Sequence, residues 1–156
     1  NISLYYMTAI TTWGPYTWFF LHIMAEKIKE EHYEKCKKDI VTVISSLFKH
    51  LPCDYCAEHA SKIITKINEK NLHSKDATKM FLFNMHNEVS RRTKITKVET
   101  IDILKRYEDG NMKVASQTLY KVFHTNDKGH MMNEFSRSQM LKALVPVIQN
   151  IINHCN

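Results

Sequence analysis

The sequence predicts an all-α protein, and three observations carry that expectation. Only three glycines and three prolines punctuate the 156 residues. No run of Val, Ile and Thr alternates with polar residues between turn signals, so a sheet has little to build from. Apolar residues instead return every three or four positions along most of the chain, which is helical spacing. With 44% hydrophobic residues, a chain of this size can bury one core, so a single domain with a small appendage is expected.

The elements follow in order. Residues 1–12 read as a lead, in which residues 1–6 are either an expression remnant or a cut end, because the chain starts at Asn1. Trp18, Leu21, Ala25 and Ile28 share one side of a first helix over about 13–29, and Thr12-Trp13-Gly14-Pro15 offers a cap followed by a proline in the first turn. A second helix, about 32–50, sets Ile40, Val43, Ile44, Leu47 and Phe48 against a Lys/Glu-rich face and is the clearest amphipathic stretch. Pro52 then ends that helix or opens a third, which carries Cys53 and Cys56 at its N-terminus and runs through Ala57, Ala60, Ile63, Ile64 and Ile67.

Residues 71–74 read as a loop, with Ser74 capping a fourth helix that carries Met80, Phe81, Phe83, Met85 and Val89. A shorter fifth helix, about 97–107, stops at Asp109-Gly110. Four long helices and a short one make a bundle over residues 13–111. Residues 112–156 add a helical C-terminal extension: a helix near 113–123, a polar turn Asn126-Asp127-Lys128-Gly129, and a stretch over 137–154 that Pro146 kinks or divides.

Composition narrows function only a little. The net charge of +6 comes from Lys and Arg scattered over all the helices, which fits a solvated surface and not a nucleic-acid-binding arm. No apolar run approaches the roughly 18 residues of a membrane span, and no basic-then-apolar leader is visible. Four cysteines do not make a disulfide-dense scaffold, and Cys53 and Cys56 are the pair close in sequence.

That pair carries the chemistry. Two thiols one helical turn apart can close a redox-active disulfide. At a helix N-terminus, exposed N–H groups and the helix dipole can lower a cysteine pKa from about 8.5 into roughly 3.5–7.5, favouring the thiolate that exchange requires. Alone, the spacing is equally compatible with a metal or with inert structure. Cys53, Cys56 and His59 define the competing reading, a zinc-binding helical module with Cys36 or another His as a fourth ligand. Three ligands within one and a half turns strain a tetrahedron, so no metal is expected. Cys36 and Cys155 read as inert thiols, with an inter-subunit or a tail-to-core disulfide as the other options.

The surrounding motifs add a resemblance. Trp13-Gly14-Pro15-Tyr16-Thr17-Trp18-Phe19-Phe20-Leu21-His22 resembles the W-G-x-x-x-W-x-x-L-H signature of the Erv/ALR family of FAD-linked sulfhydryl oxidases. The Cys-x-x-Cys about thirty residues later, the His86-Asn87-Glu88-Val89 box and Tyr107 followed by Asp109-Gly110 stand in the family's order, and the likeness covers about residues 10–111. It implies a four-helix bundle with FAD at its mouth. Trp13, Gly14, Trp18 and His22 would contact the flavin or its adenosine part, Cys56 would lie against the isoalloxazine ring, and His59 would touch FAD. His86, Asn87 and Val89 would line the adenine and ribose side, with Tyr107 on the adenine.

Some positions depart from the family pattern. Ser90 replaces the usual Asn, Phe81 stands where many members have Trp, and Arg91, Arg92 and Lys94 are approximate counterparts of the basic residues that meet the pyrophosphate. Ser90, Arg92 and Lys94 are therefore counted with the FAD site through the likeness alone. The resemblance further implies that substrate thiols, or a thioredoxin-like carrier, attack Cys53, and that Cys56 passes electrons to FAD and then oxygen, yielding hydrogen peroxide. A homodimer is implied as well. The compact core looks most like versions from large cytoplasmic DNA viruses, placing the chain in host cytoplasm or virion, or otherwise in the mitochondrial intermembrane space.

Overall fold

The computed structural model describes residues 4–50, 59, 61–94, 97–125 and 131–155. Its elements are α1 (Leu4–Lys27), a 3-10 turn (Glu30–His32), α2 (Tyr33–Lys49), α3 (Lys75–Thr93), a second 3-10 turn (Ile101–Tyr107), α4 (Met112–Thr125) and α5 (Met131–Ile152). The fold is all-α, a helix bundle with a helical extension, and among the described residues the only β-type pairing is one antiparallel bridge between Ile28 and Cys155. The third helix is seen at residues 59 and 61–64 and gives way to turns before Ile67, earlier than the apolar spacing predicts. Its expected start, with Cys53 and Cys56, lies outside the described residues.

The central element is α1. It packs against α4 on one side and α3 on another, and its Phe20, Leu21, Ile23 and Met24 are all fully buried. Each such side chain contributes roughly 1.5–3 kcal/mol relative to exposure. The helix starts at Leu4, well before the expected cap at Thr12, and Pro15 lies inside it. Proline lacks an N–H and so removes the ladder bond to the carbonyl four residues earlier, and just after it the Thr17 hydroxyl donates to the Trp13 carbonyl at 3.0 Å.

Ser74 is the N-cap of α3, its hydroxyl accepting the Ala77 N–H at 3.1 Å, as the sequence predicts. The same helix ends at Lys94 in the left-handed region with φ 56°, its N–H donating to the Ser90 carbonyl at 2.9 Å. Residues 97–100 are irregular and the short fifth helix begins only at Ile101, as a 3-10 turn. Gly110 follows that turn where it meets α1: a Cβ there would stand 2.6 Å from the Ile23 side chain, so the close approach requires glycine.

The extension belongs to the same core. Met112, Ala115, Leu119, Val122 and Phe123 of α4, and Leu141, Leu144, Ile148 and Ile151 of α5, are buried with the α1 and α2 residues. α5 runs along α2, tied by the Asn150 amide donating to the Asp39 carboxylate at 2.6 Å and by the Lys29 N–H donating to the His154 carbonyl at 3.0 Å. Pro146 lies within α5 without dividing it, and the helix begins at Met131, ahead of the expected 137. Among the described residues no helix is long and apolar enough to cross a membrane.

Candidate functional site

Helical periodicity brings the motif residues to one cavity of about 680 Å³ between α1, α3 and the second 3-10 turn. Small-molecule and cofactor sites occupy ~300–1,000 Å³. α1 lines it with Trp13, Gly14, Trp18 and His22, and α3 with His86, Asn87, Val89 and Arg92. The 3-10 turn adds Tyr107, and His59 lines it from the third helix.

The aromatic rings form two stacked pairs joined by a hydrogen bond. Trp18 and His86 stack with centroids 4.2 Å apart and planes 4° from parallel, and His22 stacks on Tyr107 at 4.7 Å and 14°. His22 Nε2 and His86 Nδ1 lie 3.0 Å apart, so one ring nitrogen donates and the other accepts. Phe48 of α2 meets Trp18 edge-on at 5.6 Å. The result is a flat, mostly apolar wall held by contacts among its own members.

Electrostatics keep that wall neutral. Burial, and then the neighbouring His86, bring the pKa of His22 down to about 3. Burial alone brings His86 down to about 4. Burial also raises the Tyr107 phenol, with Arg106 opposing and Glu99 assisting. At neutral pH both imidazoles and the phenol are uncharged.

Two features of the wall fit a bound group. The indole Nε1 of Trp13, a residue of the cavity wall, is buried without a hydrogen-bond partner, an unsatisfied donor at the edge of the site. Gly14 faces open space, where a Cβ would meet nothing within 4 Å. Glycine inside a helix costs about 0.5–1 kcal/mol relative to alanine, and here it leaves the backbone approachable from the cavity.

Asn87 lines the cavity, as expected, and its side chain also holds the backbone of the segment after α3. Its amide donates to the Glu99 carbonyl and accepts the Glu99 N–H, both at 2.9 Å. This two-point clamp fixes the irregular segment that supplies Lys97 and Glu99 to the cavity. Ser90 and Lys94, expected at the FAD site, are not brought to the cavity: Ser90 is buried beside the C-terminus of α3 and Lys94 forms the left-handed cap. Arg91 is exposed.

The basic residues that do line the cavity are Arg92, Lys97 and Arg106. Arg92 is held loosely by Glu88 at 3.8 Å. Residue type and spacing do not mark Lys97, Arg106, Phe48 and Phe83 as site residues. Phe48 and Phe83 follow the apolar helical pattern and so read as core, and Arg106 precedes Tyr107 in a turn whose facing only the 3-10 geometry sets. Among the described residues no group of three or more His, Cys, Asp or Glu comes together as a metal site. Cys53 and Cys56 lie outside the described residues.

The family model for the Erv1 / Alr family matches residues 15–108, more than half of the chain. This chain belongs to the Erv1 / Alr family. It is 32% identical over 78 residues to FAD-linked sulfhydryl oxidase ERV1 of Arabidopsis thaliana, a match covering 50% of this chain and 40% of the relative. It is 31% identical over 80 residues to an FAD-linked sulfhydryl oxidase of African swine fever virus, covering 51% of this chain and 66% of the relative. A putative FAD-linked sulfhydryl oxidase of Invertebrate iridescent virus 3 matches at 27% over 116 residues, 72% of this chain and 77% of the relative. The chain thus spans less than two thirds of the plant and swine fever virus relatives. No solved structure matches. The Erv1 / Alr segment contains every motif residue of the cavity except Trp13 and Gly14, which lie just before it.

Proposed function

We propose that the chain is an FAD-dependent sulfhydryl oxidase that forms disulfides in protein substrates, passing electrons from substrate thiols through Cys53 and Cys56 to FAD and then to oxygen, with hydrogen peroxide as product. The observation that carries this reading is the convergence of Trp13, Gly14, Trp18, His22, His59 and His86 on one cavity in a member of the Erv1 / Alr family. His59 follows Cys56 by three residues, so the cavity wall adjoins the dithiol in the chain.

The cavity fits the group. Trp18, His22, His86 and Tyr107 offer stacked faces to planar rings, and the partnerless Trp13 Nε1 offers a donor. Arg92, Lys97 and Arg106 supply the positive charge a diphosphate needs, and Gly14 leaves room for close approach. When bound, FAD supplies a two-electron acceptor that oxygen can reoxidise, chemistry the side chains lack.

The protein's part begins at Cys53. A substrate thiolate attacks its sulfur, the Cys53–Cys56 bond breaks, and Cys56 leaves as the thiolate. A second substrate thiolate then attacks the mixed disulfide and releases Cys53 and an oxidised substrate. The neutral His22–His86 pair adds no positive charge to the wall while this happens.

The same reading gives the chain thiol proteins or a thioredoxin-like carrier as partners, oxygen as acceptor and a homodimeric state. It favours a viral setting, host cytoplasm or virion, on the strength of the African swine fever virus and iridescent virus relatives. Cofactor analysis tests it. The purified protein should be yellow and release FAD on denaturation at about one per chain, whereas a colourless protein with stoichiometric zinc would establish the competing zinc module.

A further inference from the structure

We infer that Cys36 and Cys155 are the two halves of a second disulfide, one that fastens the C-terminal end of the chain to α2. The placement comes from contacts on either side of Cys36. Asp39, three residues after it, accepts from Asn150 at 2.6 Å, and His32, four residues before it, packs edge-on against His154 at 5.0 Å between centroids. α2 and the end of α5 therefore run antiparallel, and Cys36 lies at the level of residues 151–152.

Cys155 sits about one turn beyond that level, but its side chain turns back. Its Sγ donates to the Ile151 carbonyl at 3.2 Å, which sets the sulfur at the level of Cys36. The backbone at this point is fixed by the Ile28–Cys155 bridge and by the Lys29 N–H bond to His154. Cys36 is fully buried, and Cys155 packs on the same core while keeping partial exposure. Burial first, and then the nearby Cys36, raise the pKa of Cys155. Both are free thiols in the structure.

The different exposure of the two sulfurs orders the chemistry. A small-molecule disulfide such as oxidised glutathione reaches Cys155 first. The Cys155 thiolate attacks it, forms a mixed disulfide and expels one glutathione thiolate. Cys36, already inside, then attacks the Cys155 sulfur and expels the second. Two protein thiols are oxidised, one glutathione disulfide is reduced to two thiols, and the two protons end on glutathione. Because the bond closes a loop of roughly 120 residues, it removes much denatured-state entropy. This inference is independent of the flavin reading, since it requires neither FAD nor Cys53 and Cys56.

The full chain, equilibrated with oxidised or with reduced glutathione and then alkylated, is digested without reduction and mapped by mass spectrometry. The oxidised sample should yield the Cys36 peptide joined to the Cys155 peptide within one chain, lighter by two hydrogens than the separate thiols. Its thermal midpoint should exceed that of the reduced sample by about 10 °C. The same comparison in Cys155→Ser should show that rise abolished. Full alkylation of both cysteines after oxidation would overturn the inference. Stable glutathionylation of Cys155, a crosslink between two chains, or zinc bound at one per chain through these thiols would overturn it equally.

Discussion

At the residue scale the most consequential feature is a pair of neutral histidines in contact. His22 and His86 have pKa values of about 3 and about 4, well below the ordinary value near 6.5. The unfolded chain therefore binds more protons than the folded one between about pH 6.5 and pH 4. The stability contributed by keeping these rings neutral is complete above pH 6.5 and is lost as pH falls toward the folded values. Urea denaturation of the cofactor-free protein should show about 2–4 kcal/mol less stability at pH 5 than at pH 7.5 from this pair. Replacing His86 with Phe, which keeps the stack on Trp18, should cut that dependence by about half, since burial still holds His22 low. An unchanged pH slope would remove the buried pair as its source.

At the element scale, α1 and α3 build the cavity, and Asn87 holds the connecting segment that completes it. Its two bonds to Glu99 are partly buried, and each such bond contributes about 0.5–1.5 kcal/mol. Asn87→Ala should destabilise the protein by about 1–3 kcal/mol, because it also leaves the Glu99 backbone groups unsatisfied. Amide exchange at Glu99 should rise sharply while exchange in α2 stays slow. Hydrogen exchange that leaves Glu99 protected in the variant would contradict the clamp.

These elements also show what the sequence could and could not reveal. Helical periodicity was legible in α2, where Ile40, Val43, Ile44, Leu47 and Phe48 are all buried as expected. Local side-chain chemistry was legible at Ser74, a cap that bonds Ala77 as predicted. The start of α1 was not, because Thr12 followed by Pro15 imitates a helix opening while tertiary burial on α3 and α4 sustains a helix through the proline. The motif likeness led to the cavity residues Trp13, Trp18, His22, His59, His86 and Tyr107, but could not show that Asn87 spends its amide on Glu99 or that Lys94 turns left-handed. Such facts depend on backbone path, which residue type constrains weakly.

At the scale of the whole molecule, α4 and α5 share the core of the Erv1 / Alr segment. α4 covers α1 and α5 covers α2, so deletion of both would remove their own buried residues, Leu119, Phe123, Leu141, Leu144, Ile148 and Ile151 among others, and bare the faces they cover. The burial lost exceeds about 10 kcal/mol, comparable with the 5–15 kcal/mol net stability of a domain. A chain ending at residue 111 should therefore lose cooperative thermal unfolding and aggregate. A soluble truncation with an unaltered midpoint would show that the extension is dispensable to the core.

The central claim joins that core to redox chemistry through Cys56. The most direct measurement is thiol-dependent oxygen consumption by the wild-type chain and by Cys56→Ser, compared at equal bound FAD. The wild type should consume oxygen and produce hydrogen peroxide, and the variant should retain FAD but lose turnover by at least about 100-fold, because the thiolate that passes electrons inward is gone. Equal turnover in the two proteins, or no thiol-dependent oxygen consumption in an FAD-loaded wild type, would contradict the account.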